Sequence, residues 1–194
     1  SVEDELEGGA RAITTIEDVM NQTDETFCWI LAEIMSVEGG VNGWCYLSCF
    51  KCAKKVVDVK NGYQCIRCKR ITVDPTLRYK LHAIVADGTG CLNLMIWNDE
   101  AKQIIGQSAK EVRDSEKGKN VNSLPKAIQA LLEKKFLFKV SVSTQNVNSI
   151  DHMYAVEKIC DDERLLGIYS SANSMEIGDL PKLIRRLLVQ ELSR

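Results

Sequence analysis

Apolar and polar residues alternate along several stretches of the chain. In LRYKLHAIVADGTGCLNLMIW (77–97), Tyr79, Leu81, Ala83 and Val85 share one face, and Leu92, Leu94 and Ile96 share one face of the following run. Asp87-Gly88-Thr89-Gly90 between them predicts a hairpin. The opposite faces carry Arg78, Lys80 and His82, then Asn93, Met95 and Trp97. FLFKVSVST (136–144) repeats the pattern, with Phe136, Phe138, Val140 and Val142 inward and Lys139, Ser141 and Ser143 outward. FCWILAEIMSV (27–37) and HMYAVEKIC (152–160) also read as strands, and GWCYLS (43–48) as the hairpin partner of the first after the Gly39-Gly40 turn.

Helical signals fall between the strands. Thr14 or Thr15 caps a short helix ending at Met20, and NDEAKQIIG (98–106) is predicted to start at an Asn98 or Asp99 cap and stop at Gly106. Residues 107–123 read as helix ending in loop, and LPKAIQALLEKK (124–135) as an amphipathic helix opened by proline. DLPKLIRRLLVQEL (179–192) places Leu180, Leu183, Ile184, Leu187, Leu188 and Leu192 on one stripe. The expected fold is mainly β with helices: a five-stranded barrel of the oligonucleotide/oligosaccharide-binding (OB) type, with a C-terminal helix. Residues 1–13 are expected to be a disordered acidic leader, 14–160 the barrel, and 161–194 a linker plus that helix.

CFKCAKKVVDVKNGYQCIRC (49–68) interrupts this pattern. Two Cys-x-x-Cys pairs stand twelve residues apart, around a β-branched stretch with an Asn61-Gly62 turn. Tight knuckles of this kind deliver two thiolates each, so Cys49, Cys52, Cys65 and Cys68 are expected to hold a structural Zn²⁺ in a ribbon inserted at 49–70. The alternatives are disulfides, which need an oxidising compartment, and a redox pair, which needs a βαβ setting. Neither setting is indicated. Cys28, Cys45, Cys91 and Cys160 fall on strands and read as packing residues.

Charge changes the picture locally. The net charge of the 194 residues is −2, yet Lys51, Lys54, Lys55, Lys60, Arg67, Lys69 and Arg70 face only Asp58 between Cys49 and Arg70. Arg78, Lys80, Asn93 and Trp97 share the polar face of the barrel hairpin, combining cations with a flat ring as a single-strand binder requires. Lys54 and Lys55 join them as candidate DNA contacts. Trp44, also a candidate, either lines the groove with Tyr46 or packs beneath the ribbon. The opening SVEDELEGGA is acidic without an apolar core, so no secretory signal is expected, and no apolar run reaches the about 18 residues of a membrane span. With two histidines, no Ser/His/Asp order and no phosphate-cradling glycine loop, a non-enzymatic protein is expected.

At WCYLSCFKCAKKV, with YQCIRC, RYKLHAIVADGTG, FLFKV and YAVEKI following in order, the chain resembles a known family. This is the C-terminal DNA-binding domain of the large subunit of replication protein A, in the style of its plant and transposon-borne members. The resemblance runs from about residue 15 to residue 160. It implies an OB-fold with an inserted zinc ribbon, single-stranded DNA in the barrel groove, and a nuclear protein of replication, repair or recombination. It also implies a heterotrimer, whose smaller subunits dock on the C-terminal helix. By position, Cys49, Cys52, Cys65 and Cys68 fall on the family's zinc thiolates, Trp97 on a base-stacking aromatic, and Arg78 and Lys139 on basic positions. Cys45, Ser141 and Ser143 depart from the pattern, as does the length of 161–177. A second reading is an assembly module that holds partner subunits and binds DNA weakly.

Overall fold

The expected alternation closes a barrel. The computed structural model describes residues 2–6, 13–39, 43–118, 123–148 and 152–172; the predicted helix at 179–192 lies outside them. Two short helices, α1 (Val2–Leu6) and α2 (Ile16–Met20), precede strands β1 (Thr26–Val37) and β2 (Cys45–Ser48). A three-stranded ribbon follows as β3 (Val56–Val59), β4 (Gly62–Cys65) and β5 (Ile71–Thr72). Then come β6 (Thr76–Ala86), β7 (Cys91–Trp97), α3 (Asn98–Ile105), α4 (Ala109–Ser115) and α5 (Lys126–Gln129). The described chain ends with β8 (Lys135–Val142), α6 (Thr144–Val147), β9 (Met153–Cys160) and α7 (Glu163–Ala172).

Strands β1, β8, β9, β7 and β6 pair in that order, and β6 returns to β1, closing five strands. Only β7 and β9 run parallel among these pairs. Closure needs β1 to serve two neighbours. Its first residues pair with β8, and an irregularity between Ile34 and Ser36 turns the rest onto β6. Ile30, Leu81, Leu94, Ile96, Phe138 and Val140 fill the interior without exposure, as period-two patterning requires. Helix α2 is capped by Thr15 and anchored by the β6–β7 turn, where Asp87 Oδ2 accepts from the Ile16 N–H at 2.7 Å.

Several expectations give way to long-range contacts. Residues 43–48 were expected to pair with β1, but β2 pairs with β6, opposite Thr76–Tyr79. Strand β6 is long enough to extend past the barrel and give β2 an edge. The predicted helix at 124–135 shrinks to α5, because Glu133 N–H donates to Ile34 O and Ile34 N–H to Lys134 O. Pairing with β1 therefore claims the chain before another helical turn can form, and Glu133 takes a φ of 64° at the bend. Asn98 does not cap α3; its Oδ1 accepts from the Tyr79 N–H at 3.2 Å, tying the helix start to β6.

The expected leader and linker also contain structure. Val2–Leu6 is a helical turn whose Leu6 is buried. Glu163–Ala172 is helical, with Asp162 Oδ1 accepting from the N–H groups of Arg164 and Leu165, and it buries Leu165 and Tyr169.

Candidate metal centre and nucleic-acid interface

The ribbon leaves the barrel at the end of β2 and returns into β6, so its two knuckles stand beside one barrel end. Each knuckle repeats the same local bonds. Ala53 N–H donates to Cys49 O and Lys69 N–H to Cys65 O; Cys49 N–H donates to Lys54 O and Cys65 N–H to Arg70 O. Ala53 and Lys69, each directly after the second cysteine of its pair, both take a φ of 57°. Left-handed backbone costs a non-glycine residue about 1–2 kcal/mol, so two such residues mark a geometry imposed from outside the turn. The Asn61-Gly62 expectation shifts by one residue. Val59 pairs with Gly62, leaving Lys60 and Asn61 as the two-residue loop.

The four sulfurs converge. Cys49 and Cys68 Sγ lie 3.7 Å apart, Cys52 and Cys65 3.5 Å, and Cys52 and Cys68 4.0 Å, with all four within 4.8 Å of one another. A tetrahedron with metal–sulfur bonds of about 2.3 Å has edges of about 3.8 Å, so the donor set fits a zinc-sized ion. A disulfide, at about 2.05 Å between sulfurs, is excluded. The Cys68 N–H points at Cys65 Sγ at 3.4 Å. That bond, followed by one from Arg67, helps hold the Cys65 thiol down to about 6, and the backbone of Cys52 and then Lys51 lowers Cys49. Backbone N–H groups aimed at sulfur favour the thiolate a metal needs. Cys45 stands outside the cluster: it is buried in the barrel, where Arg113 Nη2 donates to its Sγ at 2.9 Å.

Between ribbon and barrel lies a cleft of about 720 Å³, lined by Tyr46, Lys54, Lys55, Ile66, Arg78, Lys80 and Trp97 among others. Five of the eight candidate DNA contacts therefore come together. Strand pairing explains how: Tyr46 lies opposite Arg78 on β2–β6, and Lys80 opposite Trp97 on β6–β7, so these side chains form adjacent rows. Tyr46 O–H donates to Ala53 O at 3.1 Å, bonding the first knuckle to the barrel. Its ring meets Trp97 edge-on at 6.1 Å, leaving the indole 42% exposed. Asp58, Asp99 and Glu100 also line the cleft, so it is of mixed sign.

The other candidates lie elsewhere. Trp44 is a correction: at 5% exposure it is a core residue, packed on Tyr79 at 5.9 Å with the Arg113 guanidinium over its ring. The choice between groove and packing, open for both aromatics in the sequence, divides them: Tyr46 lines the cleft and Trp44 does not. Asn93 lies further along β7, outside the cleft lining, and its Oδ1 is enclosed without a partner among the described residues. Lys139 also lies outside that lining, bonded to Glu5. Leu180, Leu183, Ile184, Leu187, Leu188 and Leu192 fall outside the described residues. Ile66 was missed by the sequence reading, and only its position between the second pair of cysteines could have flagged it.

Residues 27–160 match the family described as the replication factor-A C-terminal domain. One replication protein A 70 kDa DNA-binding subunit of Arabidopsis thaliana is 37% identical over 107 residues, covering 54% of this chain and 18% of that protein. A replication protein A 70 kDa DNA-binding subunit of Oryza sativa subsp. japonica is 31% identical over 149 residues, covering 72% of this chain and 23% of that protein. The chain thus spans about a fifth of the length of these relatives. Among solved structures, yeast RPA bound to ssDNA aligns with a TM-score of 0.60 at 21% identity, covering 82% of this chain and 93% of that one. A replication protein A heterotrimer bound to ssDNA aligns at 0.57 and 22%, covering 87% and 37%. At these identities the two structures support the barrel fold.

Proposed function

The chain belongs to the replication factor-A C-terminal domain family, and from that premise we propose that it binds single-stranded DNA without sequence preference, as one module of a replication protein A-type complex. The observation that carries this is the cleft in which Lys54 and Lys55 of the ribbon meet Arg78, Lys80 and the exposed ring of Trp97. Cations follow a phosphate backbone, and a flat ring accepts any base. Cys49, Cys52, Cys65 and Cys68 would hold Zn²⁺, whose contribution is structural: four thiolates complete its coordination and leave no open position for substrate.

The protein acts by binding rather than catalysis and works in the nucleus, where a replication complex meets its DNA. Residues 179–192 dock the smaller subunits through the stripe of Leu180, Leu183, Ile184, Leu187, Leu188 and Leu192. Fluorescence anisotropy of a labelled oligo(dT) at two salt concentrations tests the central claim. Affinity is expected to fall with salt, at a log–log slope of about −0.7 per neutralised phosphate. Binding that ignores salt, or none, overturns it.

A further inference from the structure

On the side of the barrel formed by β1, β8 and β9, Trp29 lies opposite Lys139, and Lys139 opposite Lys158. Two lysines directly across a strand pair repel, and an anion laid over the row relieves that repulsion. Glu5 supplies that anion. Lys139 Nζ donates to its Oε2 and Lys158 Nζ to its Oε1, both at 2.6 Å, while the Trp29 indole N–H donates to Oε2 at 3.2 Å. The bond from Lys139, then that from Lys158, lowers the Glu5 carboxyl to about 2, so it keeps its charge well below the usual carboxylate range.

The neighbouring residue acts as the anchor. Leu6 is 3% exposed among Trp29, Leu31, Leu137, Cys160, Leu165 and Tyr169, and its carbonyl accepts from the Tyr169 O–H at 2.7 Å. Beside this seat Phe27 is 60% exposed, with Lys139 Nζ 5.4 Å from its ring centroid. A helix of five residues has little stability of its own, so α1 is held by these contacts and can leave when they are contested.

Cations in a row with an exposed aromatic ring repeat the chemistry of the cleft, on residues outside the cleft lining. We propose that this surface is a second binding face for the phosphate backbone of a single strand, and that α1 occupies it in cis as an acidic competitor. Glu5 stands where a phosphate would bridge Lys139 and Lys158, and Phe27 is the stacking ring. The inference rests on the proposed single-strand function. The competitor lowers apparent affinity until a strand, already held in the cleft at high local concentration, displaces it.

The test uses the full chain, with labelled oligo(dT) titrated by anisotropy. Glu5→Gln with Leu6→Ala is expected to bind about two- to tenfold more tightly, with a salt slope steeper by about 1.4 for two added phosphates. Lys139→Ala with Lys158→Ala in that background should restore wild-type affinity and slope. Metal content and thermal midpoint check that each variant is folded. If the wild type binds and Glu5→Gln/Leu6→Ala binds no better, the second face is wrong while the cleft stands. A gain that survives removal of both lysines also overturns it, as does a variant that captures the free peptide SVEDELEG but shows no gain for oligo(dT). If neither protein binds oligonucleotide, the single-strand reading itself fails, and this inference fails with it.

Discussion

In the barrel, Leu81, Leu94, Phe138 and Val140 are sealed from water by neighbours on five paired strands. In the ribbon, Val57 and Ile66 remain substantially exposed, Ile71 is 58% exposed and Val73 84%, and full burial reaches only Val56, Cys49 and Cys65. The two regions draw on different sources of stability. Burial of whole aliphatic and aromatic side chains, each worth about 1.5–3 kcal/mol, sustains the barrel. Three small buried residues cannot sustain the ribbon, so the thiolate cluster must, and structural zinc sites of about 10–16 kcal/mol are ample. The cleft lies on the seam, with Trp97, Arg78 and Lys80 set by burial and Lys54 and Lys55 set by the thiolate cluster.

The largest effect should come from removing the metal. Cys65→Ser, or chelation of the wild type, is expected to abolish bound zinc and erase amide protection between residues 49 and 70, while protection in β6–β7 persists. Hydrogen exchange with metal analysis reads both outcomes. Loss of protection in the barrel as well would show that the two regions fold as one unit. The converse perturbation is Phe138→Ala. It should cost about 3–5 kcal/mol of global stability by denaturant titration and leave metal stoichiometry unchanged. A fall in zinc content without unfolding would refute the separation.

Each region was legible in the sequence to the extent that its constraints are local. Strand alternation assigned the inward faces of β6, β7 and β8 correctly, because the period of two belongs to each strand alone. The knuckles were legible because a two-residue spacer puts both thiolates of a pair on one turn. What escaped depends on distant partners. The attachment of β2 to β6, the loss of the last turns of 124–135 to β1, and the diversion of Asn98 to the Tyr79 backbone all follow from contacts across the barrel. Trp44 and Tyr46 are two residues apart on the same aromatic stretch. Only the closed fold shows that one packs on Tyr79 and the other faces the ribbon.

At the seam, Trp97→Ala is expected to weaken single-strand binding by about 1–3 kcal/mol, with metal content and melting behaviour unchanged. The salt slope should stay near that of the wild type, because the ring neutralises no phosphate. A slope that drops with the ring would mean Trp97 positions cations rather than bases. That would shift the weight of the cleft from stacking to charge.

The smallest effect sharpens the comparison most, because it touches the bond between the regions without disturbing either. Tyr46→Phe keeps the ring that meets Trp97 edge-on and deletes only the hydroxyl that donates to Ala53 O. One hydrogen bond of this kind is worth about 0.5–1.5 kcal/mol, and the abandoned carbonyl lies at a cleft wall where water can reach it. Global stability should therefore fall by no more than about that amount, and zinc should still bind at one per chain. The consequence to look for is orientational. Without the bond, the first knuckle keeps its chain connection, the Ser48–Lys55 bridge and the packing of Leu47 on the Cys49, Val56 and Cys65 cluster, but loses the tie that fixes the distance of Lys54 and Lys55 from Trp97. Affinity for oligo(dT) should drop while the metal and both folds persist, a combination that neither Cys65→Ser nor Phe138→Ala can produce. An unchanged affinity would mean that the ribbon lysines act without registration to the ring, and that the cleft is two independent contacts rather than one site.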